Sequence, residues 1–136
     1  MSLKTELVIF DWDGTLYNSV GQIVASLQHA AEEHKLTLTD EAAKSIIGLG
    51  LPEVMQTLFP EVPDLHDSIL KAYGDHYIAN STNDAWFEGI SELLHDLKAQ
   101  GLKLAVATGK NRRGLDRVIA KTQSTHLFDV TRAANE

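Results

Sequence analysis

The segment Asp11-Trp12-Asp13-Gly14-Thr15 puts two carboxylates two residues apart, directly after the apolar run Leu7-Val8-Ile9-Phe10. In extended chain, side chains at i and i+2 share a direction, so Asp11 and Asp13 face one space. Gly14 lets the backbone turn sharply enough to aim amide hydrogens into that same space. Two acids beside anion-binding amides imply a cation between them. Taken alone, the pentapeptide is equally an ordinary Asp-Gly turn after a strand.

A second polar group, Thr108-Gly109-Lys110, follows another β-rich run, Lys103-Leu104-Ala105-Val106-Ala107. Lys110, Arg112 and Arg113 gather three cations near the start of a helix, where the helix dipole disfavours positive charge. A phosphorylated substrate would offset them, although a solvated face is the commoner explanation of such a cluster. The loop Gly48-Leu49-Gly50-Leu51-Pro52 is, from the residues alone, a flexible turn between two helices. The six histidines show no metal-ligand spacing and are read as surface or helix-face residues.

The elements that must position these residues follow from periodicity. Leu7–Phe10 is unalternated and rich in β-formers, as a parallel strand buried on both faces would be. Lys103–Ala107 repeats the pattern, and Leu127-Phe128-Asp129-Val130 is a weaker third strand. Ile90, Leu93, Leu94 and Leu97 mark a helix ending near Gly101, and Leu115, Val118 and Ile119 mark another. Strand–helix alternation predicts an α/β fold with a parallel sheet. Residues 19 to 84 show no strand pattern. Ile23, Val24, Leu27, Ala30 and Ala31 form one helical stripe; Thr39 caps a helix opening with Asp40; Pro52 opens a third; and Leu65, Ile69, Tyr73 and Tyr77 mark a fourth. The division is therefore a sheet-bearing core over 1–18 and 85–136, with an all-helical insertion over 19–84. The polar run Asn80-Ser81-Thr82-Asn83-Asp84 is a hinge candidate at its exit.

Composition narrows the function classes. The chain has 136 residues and 43% hydrophobic content, enough for a buried core, and its net charge of −7 argues against a nucleic-acid backbone binder. Without cysteine there is no disulfide framework, thiolate nucleophile or cysteine-type zinc site. No apolar run is long enough to cross a membrane and no signal pattern opens the chain, so the expectation is a soluble cytoplasmic protein.

Asp11-Trp12-Asp13-Gly14-Thr15-Leu16-Tyr17-Asn18-Ser19 resembles the first motif of the haloacid dehalogenase superfamily of phosphotransferases. Val106-Ala107-Thr108-Gly109 looks like its second motif, the insertion stands where that superfamily carries a cap, and Gly89–Leu94 with Leu97 and Gly101 is similar to phosphoglycolate phosphatase-like members. The resemblance implies a Rossmann-like core with a helical cap. It also implies a magnesium-dependent phosphatase acting on small phosphorylated metabolites, with no nucleic acid or membrane as partner. Asp11 would be the nucleophile that becomes an aspartyl phosphate, and Asp13 the acid and base; both would ligate Mg2+, Asp13 through its carbonyl. Trp12, Asp13, Thr108 and Gly109 would bind phosphate, and Gly48, Leu49 and Gly50 would face the site from the cap and help select substrate.

The resemblance also carries departures. Asn18 stands where this branch commonly has Asp, while Asp13 separates the chain from the superfamily's dehalogenases and transport ATPases. A third-motif Lys and a later acidic pair have no counterpart before Glu136, and Lys110 and Lys121 do not substitute by position. The expectation is a core truncated before the third and fourth motifs, weakly active alone, whose unpaired Leu7–Phe10 edge self-associates. Two alternatives remain: a catalytically incomplete fragment that binds phosphate or serves as an interaction module, and a phosphomutase.

Overall fold

Strand and helix alternate through the second half of the chain, and an unbroken series of helices separates the first strand from the rest. The computed structural model describes residues 4–81 and 85–136. In chain order the elements are β1 (Leu7–Phe10), β2 (Tyr17–Asn18), α1 (Val20–Glu33), α2 (Asp40–Lys44), α3 (Leu51–Leu58), α4 (His66–Asn80), β3 (Ala85–Trp86), α5 (Ile90–Ala99), β4 (Lys103–Ala107), α6 (Arg112–Thr122) and β5 (Val130–Arg132). Short 3-10 turns lie at Pro63–Leu65 and Thr125–Leu127.

The fold is α/β. β1, β4 and β5 form a parallel sheet in that order, with Val8 opposite Leu104, Phe10 opposite Val106 and Val106 opposite Thr131. The order leaves β1 at an edge, and its alternating exposure corrects the reading of Leu7–Phe10 as buried on both faces. Val8 and Phe10 pack on the core, whereas Leu7 and Ile9 are 45% and 60% exposed because nothing among the described residues covers that side. β4 is the central strand, and its Leu104, Ala105 and Val106 are all buried.

The third strand begins later than the apolar run suggested. Leu127 and Phe128 turn into the core, and Asp129 grips the start of β4 by donating its amide to the Leu104 carbonyl while its carboxylate accepts from the Leu104 amide. Ladder pairing then starts at Val130 opposite Ala105. Periodicity also missed the two-residue antiparallel ribbon of β2 and β3, which pairs Tyr17 with Trp86 and Asn18 with Ala85. Such a short ribbon has no alternation to detect, and it draws the start and end of the helical insertion together. Of the hinge candidate, Asn80 ends α4 and Ser81 follows it, while Thr82, Asn83 and Asp84 lie outside the described residues.

The helices form as their caps and stripes dictate. Thr39 accepts from the Ala42 amide at the start of α2, Pro52 sits in the first turn of α3, and Gly101 takes the positive φ of 85° that ends α5. Two hydrophobic clusters result. One joins the sheet to Leu94, Leu115, Val118 and an aromatic group of Trp12, Tyr17, Trp86 and Phe128, with ring centroids 5.1–6.0 Å apart. The other lies among the helices of the insertion and contains Ile23, Val24, Leu27, Ala30, Ala31, Val54, Met55 and Ile69.

Candidate active site

The site begins where β1 ends. The Trp12 carbonyl accepts from the amides of Thr15, Leu16 and Tyr17, and the Gly14 amide returns to the Tyr17 carbonyl, so residues 12–17 curl into one tight turn. Gly14 adopts φ 78°, which favours glycine. Alternation then sends Trp12 into the aromatic core and turns Asp11 and Asp13 the opposite way. The buried indole anchors a loop whose acids line a cavity of about 580 Å³ between the sheet end and the insertion.

Asp13 is held at both carboxylate oxygens. Ser19 Oγ donates to Oδ1 at 2.6 Å, and Lys110 Nζ lies 3.4 Å from Oδ2. The side chains of the Lys110–Asp13 pair are only 13% and 14% exposed. Asp11 accepts from the Trp12 amide at 2.7 Å through Oδ1. Trp12 thus braces Asp11 and is not among the residues that line the cavity.

Thr108 follows β4 and is tied to β5 by its amide, which donates to the Arg132 carbonyl at 3.1 Å. Its Oγ1 accepts from the Lys110 amide at 3.1 Å, leaving the hydroxyl proton to donate elsewhere. Gly109 lies flat against the insertion: a Cβ there would stand 2.6 Å from the Gly48 carbonyl oxygen and 3.1 Å from the Gly50 amide nitrogen. The loop Gly48–Gly50 therefore meets the end of β4 backbone to backbone. Asp11, Asp13, Gly48, Leu49, Thr108 and Gly109 line one cavity; Gly50 borders it through this contact.

The three-cation cluster separates into three environments. Arg112 turns away, donating to Glu136, Asp116 and Thr131, and the hydrogen bonds to Glu136 and then Asp116 raise its pKa. Arg113 lines the cavity and is exposed. Lys110, set aside by sequence position, reaches Asp13. That contact is made through space, across 97 residues, and spacing along the chain does not reveal it. Ser19 is the other residue whose role went unseen; it occupies the position before α1 and looks like a helix cap, but its hydroxyl caps nothing and serves Asp13.

The opposite wall comes from the insertion: Ile23 and Leu27 of α1, Leu51 and Val54 of α3, and Tyr73 and Tyr77 of α4. Burial, reinforced by the negative charge of Asp13 and opposed by Arg117, pushes the Tyr73 hydroxyl above its ordinary pKa. The histidines stay out of the site. His29 and His76 stack at 4.3 Å between α1 and α4, with His76 Nδ1 bonded to Ser26 Oγ, and His34 bonds Ser68. Among the described residues there is no cluster of three or more His, Cys, Asp or Glu side chains that could hold a metal, and no helix is long and apolar enough to cross a membrane.

What the site can recognise by charge is an anion, drawn to Lys110, Arg113, the Thr108 hydroxyl and the Gly109 turn. What it can do to that anion depends on the two carboxylates. Comparison with known proteins gives the family to which this fold belongs. A tyrosine-protein kinase PtkA of Mycobacterium tuberculosis is 31% identical over 132 residues, covering 96% of this chain and 45% of that protein. A phosphoglycolate phosphatase of Mannheimia succiniciproducens is 31% identical over 142 residues, covering 96% and 63%. This chain thus spans about half to two-thirds of the length of these relatives. The solved structure of the M. tuberculosis PtkA superposes with a TM-score of 0.81 over 96% of this chain and 60% of that one, at 31% identity. A hydrolase of Pseudomonas syringae, at 22% identity and a TM-score of 0.82 over 97% and 62%, shares the fold. The family model of the haloacid dehalogenase-like hydrolases matches residues 8–136, from β1 past β5 and through every side chain of the cavity, and the chain belongs to that family.

Proposed function

We propose that this chain carries the phosphoryl-transfer site of a phosphatase for small phosphate monoesters, phosphoglycolate phosphatase-like, working through an aspartyl phosphate. One observation carries the reading: Asp11 and Asp13 open onto the same cavity as Thr108 and Gly109, with the Gly48–Gly50 loop closing over them. Membership of the hydrolase family and likeness to a phosphoglycolate phosphatase support it.

In the first step an Asp11 carboxylate oxygen attacks phosphorus, the bond from phosphorus to the ester oxygen breaks, and Asp13 gives that oxygen a proton. In the second, water attacks the acyl phosphate, Asp13 takes its proton, and the bond between phosphorus and the Asp11 oxygen breaks to release phosphate. Ser19 and Lys110 hold the Asp13 carboxyl for both transfers. Thr108 steadies a phosphoryl oxygen by donating its free hydroxyl proton. The donor set is oxygen only, one or two carboxylates and a carbonyl, which suits Mg2+, an ion that keeps several waters and takes few protein ligands. Asp11 and the Asp13 carbonyl would hold it, and when bound it would relieve repulsion between carboxylate and phosphate.

The test is phosphate release from a panel of small phosphate esters, including phosphoglycolate, in the presence of Mg2+, with Asp11→Asn as control. Release that vanishes in the variant, with a phosphorylated Asp11 trapped in the parent, supports the reading. Equal release from both chains, or a phosphoryl group on another residue, overturns it.

A further inference from the structure

We propose that Lys110 is a phosphate-contacting residue of this site and that Tyr77, on helix α4 of the insertion, is its positioning residue. The proposal rests on the phosphoryl-transfer reading and adds to it a cation and the ring that aims it.

Lys110 is fixed from its backbone outward. Its amide donates to Thr108 Oγ1 at 3.1 Å and its carbonyl accepts from the Ala134 amide at 2.9 Å. Its aliphatic stem folds back over Gly114, where a Cβ would stand 3.3 Å from Lys110 Cγ; any larger residue would crowd that path. The ammonium then ends 3.4 Å from Asp13 Oδ2 and 5.1 Å from the centre of the Tyr77 ring. At 3.4 Å the contact with Asp13 is longer than the usual 2.7–2.9 Å of a charge-assisted hydrogen bond. The ammonium is therefore held jointly, by the carboxylate and by the ring.

Tyr77 is itself immobilised. It is 4% exposed, and Arg117 of α6 brings its guanidinium carbon to 5.4 Å from the same ring. Arg117 also donates to Ser81 Oγ at 3.2 Å, and Lys121 donates to the Ser81 carbonyl, so α6 ties down the end of α4 that carries Tyr77. Two cations thus lie over one aromatic ring beside Asp13, whose electron-rich π system attracts both. A doubly charged phosphoryl group entering the cavity meets an ammonium already largely buried and aimed. Because Tyr77 belongs to the insertion and Lys110 to the core, this contact makes the cation's position depend on where the insertion sits.

The experiment uses the whole chain with lysine side chains labelled for NMR and inorganic phosphate as the probe. Lys110→Arg assigns the Lys110 εCH2 signals. These are expected to be displaced by the ring current of Tyr77 in the parent and in Tyr77→Phe, and to return to ordinary lysine positions in Tyr77→Leu. Phosphate is expected to move the Lys110 signals together with the amides of Asp13 and Thr108. Its affinity should be unchanged in Tyr77→Phe, roughly 3- to 30-fold weaker in Tyr77→Leu, and at least about tenfold weaker in Lys110→Met, which leaves the ring and the insertion untouched. Ordinary Lys110 signals in the parent, or equal affinity in Tyr77→Leu and parent, would overturn the positioning role. Phosphate that moves the Asp13 and Thr108 amides but not Lys110 would overturn the contact. Phosphate that moves none of them would overturn the phosphoryl-transfer reading itself, even with the ring-current displacement intact.

Discussion

Lys110 and Asp13, ninety-seven positions apart in the chain, meet with Nζ 3.4 Å from Oδ2 in a nearly buried pair. The other Asp13 oxygen accepts from Ser19, which has no exposure to solvent. Removing that hydroxyl leaves a largely buried carboxylate oxygen short of a donor, a loss worth about 1.5–3 kcal/mol when the acceptor is charged. Ser19→Ala is expected to lower unfolding free energy by that amount in urea titration and to slow phosphate release about tenfold, while Ser19→Thr, which keeps the hydroxyl, retains most of both. A change in stability below about 0.5 kcal/mol would show that Ser19 does not hold Asp13.

The contact between Gly109 and the 48–50 loop leaves no room for a methyl group, since a Cβ would stand 2.6 Å from the Gly48 oxygen. Gly109→Ala is expected to displace that loop, shifting the amide signals of Gly48, Leu49 and Gly50 and costing about 1–3 kcal/mol. Gly48→Ala differs in cause. Nothing lies within 4 Å of its would-be Cβ, but φ is 99°, so its cost of about 1–2 kcal/mol is backbone strain and the Gly109 contact persists. Identical spectral changes in the two variants would contradict this distinction.

Two separate hydrophobic clusters imply that damage to one spares the other. Leu27 is 1% exposed among the helices of the insertion, and its truncation to alanine should cost about 2–5 kcal/mol. Hydrogen exchange on Leu27→Ala is expected to show amides of α1 and α4 losing protection while those of β4 keep theirs. Uniform loss across α1, α4 and β4 would mean that core and insertion open as one unit.

Acid should weaken the contacts that Asp129 and Glu136 make beside the sheet. The hydrogen bond from Lys98, then that from the Leu104 amide, lowers the Asp129 pKa, and hydrogen bonds from Arg112 and the Ala133 amide lower Glu136 from 4.5 to about 2. A carboxyl whose folded pKa is depressed stabilises the fold above its unfolded value and loses that contribution as pH falls through the folded value. Stability should therefore decline from about pH 4.5 toward pH 2, as followed by thermal melting. Arg112→Met should flatten that decline, and an unchanged slope in the variant would rule out the Glu136 contact as a cause.

Local chemistry made much of this legible in the sequence. Thr39 and Pro52 open their helices and Gly101 closes one, because capping depends on one residue and its neighbours. Asp11 and Asp13 face one cavity because alternation along extended chain is geometric. What escaped needed contacts through space. β1 reads as buried on both faces, yet its exposure depends on what packs against it. Ser19 reads only as the last residue of the first motif and Tyr77 as part of a helical stripe, and only the folded chain brings Asp13 to one and Lys110 to the other. The β2–β3 ribbon is too short for any period.

That ribbon bears on how quickly the molecule can assemble. Parallel pairing of Leu7 with Lys103 requires distant segments to meet, the slow kind of contact in folding. α1 and α4 run antiparallel, with Ser26 beside His76 and His34 beside Ser68, so a preformed helical insertion returns the chain to where it left. Zipping Tyr17 to Trp86 then reduces the effective loop between the two parallel strands from roughly ninety residues to roughly thirty, which lowers the closure entropy by about 1 kcal/mol. Preformed helices of the insertion would in this way clamp the sheet, shortening the search by which β1, the strand that leads into Asp11 and Asp13, finds its register on β4.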